Sequence, residues 1–180
     1  MKKHLLLIAL LYIVLAACKH QTGNSVIQKV EADSLVHHVD VYKGTLVETK
    51  GVIRHICGVD KRKMKLQSEG GRYIKIVPAD TATCFDRDLY KRKLLVRGIV
   101  REERIKKETV AQMAEDKALL CSIDHAPCVD KPWIEKMKKR GVADSLSNRA
   151  VEQLRSDMVI KSRDYVSVVV IEANEVIIIE

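Results

Sequence analysis

Cysteine and histidine are the side chains in this sequence whose types and spacing could do chemistry. In the stretch CSIDHAPC, Cys121, His125 and Cys128 fall in a C-x3-H-x2-C pattern. Upstream, His55 and Cys57 stand two residues apart, so in a strand they would share one face. Thiolate and imidazole suit zinc or copper, which makes His55, Cys57, Cys121, His125 and Cys128 one candidate ligand set. The spacing is not a standard zinc pattern, however, and a Cys121–Cys128 disulfide across a turn at Pro127 explains the same residues with less. Buried free thiols are the third alternative. With Cys84, four cysteines follow residue 18, an even number that in an oxidising compartment reads first as disulfides, with three possible pairings. The disulfide reading expects no cofactor; the other expects zinc or copper.

Catalytic patterns are thin. The sequence contains no Gly-rich phosphate loop, G-x-S-x-G elbow, H-E-x-x-H or C-x-x-C-H haem attachment site. A His55–Cys57 nucleophile pair has no evident third group to orient it, so the expectation is a protein that is not an enzyme.

A fifth cysteine carries a different chemistry. The basic stretch Met1–His4 precedes the apolar run Leu5–Ala17, the order found in a signal peptide. That run is about 13 residues, against the roughly 20 that a helix needs to cross a bilayer core, so a permanent span is disfavoured. It ends in Leu15, Ala16, Ala17 and Cys18, which resembles the lipobox of bacterial lipoprotein precursors. The resemblance implies cleavage before Cys18, a thioether-linked lipid on its sulfur, and export from the cytoplasm. Lys19 follows the cysteine, in place of the aspartate that resembles an inner-membrane retention signal. Attachment to the outer membrane, facing the periplasm, is therefore expected. Residues 18–39 are polar with weak periodicity and read as the lipidated cysteine followed by a flexible tether.

Composition bounds what remains. Without signal and tether about 140 residues are left, the size of one domain with one core. The formal charge of +8 falls by two once Lys2 and Lys3 leave with the signal, and the rest of the excess lies in local runs such as Lys61–Lys65 and Lys136–Arg140. One Trp, five Tyr and one Phe give no stacking platform for single strands, so no nucleic acid partner is expected.

The elements that must position the cysteines begin near residue 44. GTLVETKGVIRHIC is long for one strand and carries Gly51, where a bend or bulge would let it pair with two neighbours. KRKMKLQS alternates Met64 and Leu66 with lysines, and RYIKIVPA alternates Ile74 and Ile76 with Tyr73 and Lys75, so a meander of half-buried strands is expected with its turn at Gly70–Gly71. Phe85–Tyr90 fits one helical turn, and KRKLLVRGIVREERI fits a fourth long strand interrupted by Gly98. Three helices then follow over about 107–162, the second capped by Asp130 and closed by Gly141, the third capped by Asp144. YVSVVVIEANEVIIIE is β-branched enough to be strand, with Ala173–Asn174 as an expected turn.

This order resembles an OB-fold, and the stretch GVIRHICGVDKRKMKLQSEGGRYIKI is similar to the first half of a family of small OB-like lipoproteins of Gram-negative bacteria. The resemblance implies an α+β domain over 40–180, mainly β, in which a five-stranded barrel carries a helical excursion before its closing strand. It also implies a binding face, while a fold does not fix a function. The expectation is a membrane-anchored lipoprotein of the cell envelope that binds an unidentified envelope ligand or protein without catalysis; the alternative is a metal-binding or redox lipoprotein built on the His/Cys set. Cys18→Ala should block both lipidation and processing, leaving a longer precursor that takes up no labelled palmitate. Equal palmitate labelling of the variant and the wild type would refute the lipobox.

Overall fold

The computed structural model describes residues 26–180 except Asp60. The signal segment, Cys18 and the front of the expected tether lie outside the described residues. Strand β1 is Gln28–Lys29, helices α1 and α2 are Ala32–His37 and Val39–Tyr42, and strands β2, β3 and β4 are Leu46–Ile56, Met64–Gln67 and Tyr73–Pro78. A single 3-10 turn at Arg87–Leu89, capped by the Asp86 carboxylate, leads to β5 at Lys93–Lys106. Helices α3 (Lys107–Glu115), α4 (Lys131–Lys139) and α5 (Ala143–Ile160) come next, and β6 (Tyr165–Ile178) closes the chain. Among the described residues no helix is long and apolar enough to cross a membrane.

The strands form the expected five-stranded barrel. β2 pairs antiparallel with β3, β3 antiparallel with β4, β4 parallel with β6, β6 antiparallel with β5, and β5 returns to β2, with β1 added on the outside of β2. β2 serves two neighbours in the manner its central glycine suggested: residues 46–52 face β5 and residues 52–56 face β3. A Cβ on Gly51 would meet the Leu66 side chain and stand 2.5 Å from the Gln67 carbonyl oxygen, so only glycine lets the two strands approach there. Gly98 is tighter still: a Cβ would run into the Glu172 carbonyl oxygen and approach Ile171 Cγ2 to 2.7 Å and the Ala173 Cα to 2.8 Å.

Alternation then fills the interior. Val47, Ile53, Met64, Leu66, Ile74, Ile76, Leu94, Val96, Val100 and Ile171 are almost wholly buried inside the barrel. Burying each such side chain stabilises by about 1.5–3 kcal/mol.

Four expectations are corrected. The tether does not extend to residue 39: Ala32, Leu35 and Val39 plug the barrel core from α1 and α2, because three apolar residues at near-helical spacing had a hydrophobic end to cover. Ala173–Asn174 is not a turn. β6 runs through it, and the register passes from Arg97–Glu175 to Gly98–Ala173, leaving Asn174 as the extra residue of a bulge. Asp144 does not cap α5; the helix begins one residue before it, and the Asp144 carboxylate accepts from Lys117 Nζ at 2.9 Å. Finally, the buried side chains separate into two clusters. The second holds Val110, Met113, Val151, Leu154 and Met158 of the helices against Val166 and Ile105 of the protruding β5–β6 ribbon, so it shares the barrel's strands and forms no independent domain. The closed barrel and both clusters lie wholly within the described residues.

Gly98→Ala should lower the free energy of unfolding by about 2–3 kcal/mol, the range for forcing atoms into a filled core. Gly58→Ala, whose added carbon would stand 3.7 Å from an Asp130 carboxylate oxygen, should change it by less than about 0.5 kcal/mol. Urea unfolding of the two variants measures the contrast, and equal stabilities would contradict the pinched closure.

Candidate functional site: a cleft between barrel and insertion

The helical insertion folds back over the outer face of β3 and β4. Its leading edge is the loop between α3 and α4, which doubles on itself through a bridge between Leu120 and Pro127. The Cys121 N–H donates to the Ala126 carbonyl at 2.8 Å, the Cys128 N–H to the Leu119 carbonyl at 2.7 Å, and the His125 N–H to the Cys121 carbonyl at 2.9 Å. His125 occupies the left-handed region at φ 58°, a conformation in which histidine is enriched relative to bulkier residues. Leu119 and Ile123 point inward and are buried.

Charge fixes this loop in place. Asp124, 8% exposed, accepts from Lys63 Nζ at 2.8 Å and lies 3.2 Å from Lys75 Nζ. Lys75 also donates to both carboxylate oxygens of Glu103 on β5 at 2.8 and 2.9 Å. Burial pushes the Asp124 carboxyl up, but the hydrogen bond and charge of Lys63, then Lys75, outweigh it and hold the group below its ordinary value. Burial likewise opposes the charge on Lys63, yet its bond to Asp124 holds the amine above the ordinary lysine value. The lysines of β3 and β4 thus point away from the barrel interior, as alternation requires, but meet the insertion before they meet bulk water.

Between this loop, the β2–β3 turn and the start of α4 lies a cleft with a cavity of about 340 Å³, lined by His55, Ile56, Cys57, Gly58, Val59, Lys63, Leu120, Cys121, Ser122, Cys128, Val129, Asp130 and Trp133. Asp130 caps α4 by accepting from the Trp133 N–H at 3.0 Å, which sets the indole against the opening. On the other side of Leu120, Cys121, Ser122 and Trp133 a second cavity of about 380 Å³ continues the groove past Lys65, His125, Leu146, Arg149 and Gln153.

Four of the five sequence candidates therefore meet at one cavity, while His125 lines its neighbour. His55 and Cys57 share a face as their spacing implied. The face itself is decided by a bulge: the register passes from Ile53–Leu66 to His55–Lys65, and the extra residue Arg54 turns His55 from the barrel interior to the outer surface. Among the described residues this structure shows neither a bridge nor a common ligand cluster. Cys57, Cys121 and Cys128 carry free thiols. The bridge register sets Cys121 and Cys128 diagonally on one face of the doubled loop, opposite Ala126 and Leu119 respectively. Nor do the donors converge on a zinc or copper ion: among the described residues no three His, Cys, Asp or Glu side chains are grouped to hold a metal. They line a cavity's walls and do not point at one common centre. Cys84 is exposed and lines neither cavity.

The electrostatics of these groups disfavour ionic chemistry. Burial pushes the Cys121 thiol up despite hydrogen bonds from the Ile123 and Asp124 backbone. Burial, followed by repulsion from Lys65 and Lys63, holds His55 below the usual imidazole range, and burial with Lys65 does the same to His125. Around neutral pH the Cys121 thiol and the His55 imidazole therefore stand neutral in the cleft wall, beside aliphatic carbon and the side chains of Lys63 and Asp130. Sequence reasoning missed Lys63, Lys75, Asp124, Trp133 and Arg149. The only signal for the clamp was an aspartate inside the CSIDHAPC loop facing a lysine-rich strand pair, and nothing local paired them.

No protein-family model matches the chain, and none of the curated proteins matches it significantly.

Asp124→Asn should leave Lys63 partly buried without a counter-charge and Lys75 with Glu103 alone, and destabilise the fold by about 3 kcal/mol at neutral pH. A depressed carboxylate contributes stability that is fully present above its unfolded value of about 3.9 and is lost as pH falls through the lower folded value. The gap between wild type and Asp124→Asn should accordingly stay constant above about pH 5 and shrink in acid. Urea titrations from pH 7 to about pH 2.5 provide the measurement, and a gap that widens in acid would refute the clamp.

Proposed function

We propose that this chain is a lipid-anchored, non-catalytic binding module of the cell envelope, and that it captures an apolar ligand in the cleft between its barrel and its helical insertion. The observation that carries the reading is the cavity itself. It is walled by Ile56, Cys57, Val59, Leu120 and Val129, with Trp133 at its edge, and its volume lies at the small end of ordinary ligand pockets. It sits between the first turn of the barrel and the insertion that precedes the closing strand, the two loops that flank the binding face in OB-type barrels. Lys63 and Lys75 are matched by Asp124, and the chain carries only one Trp, five Tyr and one Phe for stacking, which supports a partner other than nucleic acid.

The raised Cys121 thiol supports binding without catalysis there, since a nucleophilic cysteine needs a depressed thiol. The anchor is carried by the lipobox-like LAAC and places the module on a membrane outside the cytoplasm, with the outer membrane's periplasmic leaflet the expected site. Because the first described strand begins at Gln28, a lipid on Cys18 would keep that strand within about 35 Å of the bilayer, at roughly 3.5 Å per residue. A tether ending at residue 39 would have allowed twice that.

Trp133 is the single tryptophan, so its emission reports on the cleft alone. Titration of residues 19–180 with the neutral probe N-phenylnaphthylamine should quench that emission saturably with one probe per chain. Cys128→Phe, which fills the cavity from its wall, should weaken binding at least about tenfold while the protein still unfolds cooperatively. Linear, non-saturating quenching that is the same in both proteins would overturn the proposal.

A further inference from the structure

The second cavity gives the ligand a charge. Lys65 projects from β3 and Arg149 from α5 into this lobe, which also contains His125. Among the described residues neither Lys65, which is half-buried, nor Arg149, which is exposed, has a carboxylate within ion-pair reach. Of the nearby acids, Asp124 is matched by Lys63 and Lys75, while Asp157 accepts from the neutral Gln153 amide at 3.0 Å and its charge still acts on His125. Lys65 Nζ is held 4.0 Å from the centre of the Tyr73 ring, a contact that positions the ammonium without neutralising it. Partial burial with no counter-ion holds this amine below the ordinary lysine value, the condition an incoming anion would relieve.

The two cavities share Leu120, Cys121, Ser122 and Trp133 in their walls, so a ligand that reaches across these four residues would touch both. We infer that the cleft binds a single-chain anionic amphiphile, with its carboxylate or phosphate head between Lys65 and Arg149 and its apolar chain against Ile56, Cys57, Leu120 and Val129. A cavity of about 340 Å³ takes a tail of about ten methylenes if each fills close to the ~30 Å³ of a water molecule. Neither cation alone would define the ligand. What does so is the junction of an unmatched pair of positive charges with an apolar lobe of matching reach.

This inference rests on the ligand-binding reading above, and the test separates the two. Residues 19–180 are titrated below micelle concentrations with dodecanoate, dodecyl phosphate and neutral dodecanol, following Trp133 emission, in the wild type and in Lys65→Met/Arg149→Met. The wild type should bind at least one of the two anions about tenfold or more tightly than dodecanol, with an affinity that falls as salt is added. The double variant should bind all three alike, at the dodecanol level. Which anion binds tighter identifies the head group as carboxylate or phosphate. Equal affinity for anions and dodecanol in the wild type, or a preference that persists in the double variant, overturns the amphiphile while leaving the apolar cleft standing. Tighter binding of a short leucine peptide with a free carboxylate than of either anion would also overturn it, in favour of a protein segment. If N-phenylnaphthylamine and all three dodecyl compounds fail to bind, both readings fall.

Discussion

The closure of the barrel at Gly98 is the constraint on which the other features depend. β5 must touch β2 on one side and β6 on the other, and the β6 backbone passes so close to residue 98 that no side chain fits between them. The bulge at Asn174 opposite this point bends β6 away from β5's straight path and brings its upper half alongside β4 in parallel. Without that bend β4 would keep an open edge, and the apolar sides of β4 and β6 would have no common interior. The same closure sends the remaining length of β5 and β6 beyond the barrel as a two-stranded ribbon. Only that ribbon offers α3 and α5 an apolar surface to pack on.

From this follows the position of the insertion. Helices seeded on the ribbon have their own small core, but nothing in that core dictates where the loop between α3 and α4 must lie. Its contact with the barrel is polar: one buried carboxylate between two lysines, with Glu103 balancing the second. A pair of this kind is weak evidence of net stability and strong evidence of position, since the ions tolerate burial only when aligned. Asp124 therefore decides where the loop rests, and with it the width of the cleft, the placement of Cys121 and Cys128 on its wall, and the setting of Trp133 at its mouth.

The cysteines show how one compositional fact can support opposed chemistries until geometry intervenes. Four thiols in a chain expected to be exported suggest bridges, and thiols beside histidines suggest a metal. In the fold, Cys57, Cys121 and Cys128 behave as small apolar wall residues around a cavity. Cysteine commonly takes that role when buried, because its thiol is only a weak hydrogen-bond donor.

The sequence by itself determined the barrel, and for physical reasons that act over a few residues. Alternation in 64–67 and 73–76, β-branched density in 165–178, two glycines in long strands and the caps around Asp130 and Gly141 are local signals, and each produced its element close to where it was expected. It also marked the insertion over 107–162. Only the tertiary structure decided the rest. Ala32, Leu35 and Val39 are too sparse to announce a helix until an open barrel end needs covering. The bulge at Arg54 inverts the face of His55 by adding one residue to a pairing, a change of parity that no property of the strand alone displays. The meeting of Lys63 with Asp124 spans 61 residues, and Lys65 and Arg149 come from a strand and a helix that share no local pattern. Short-range periodicity chooses the elements because it depends on which face each residue presents, whereas the cleft depends on which elements meet, and that is settled by long-range packing and charge pairing.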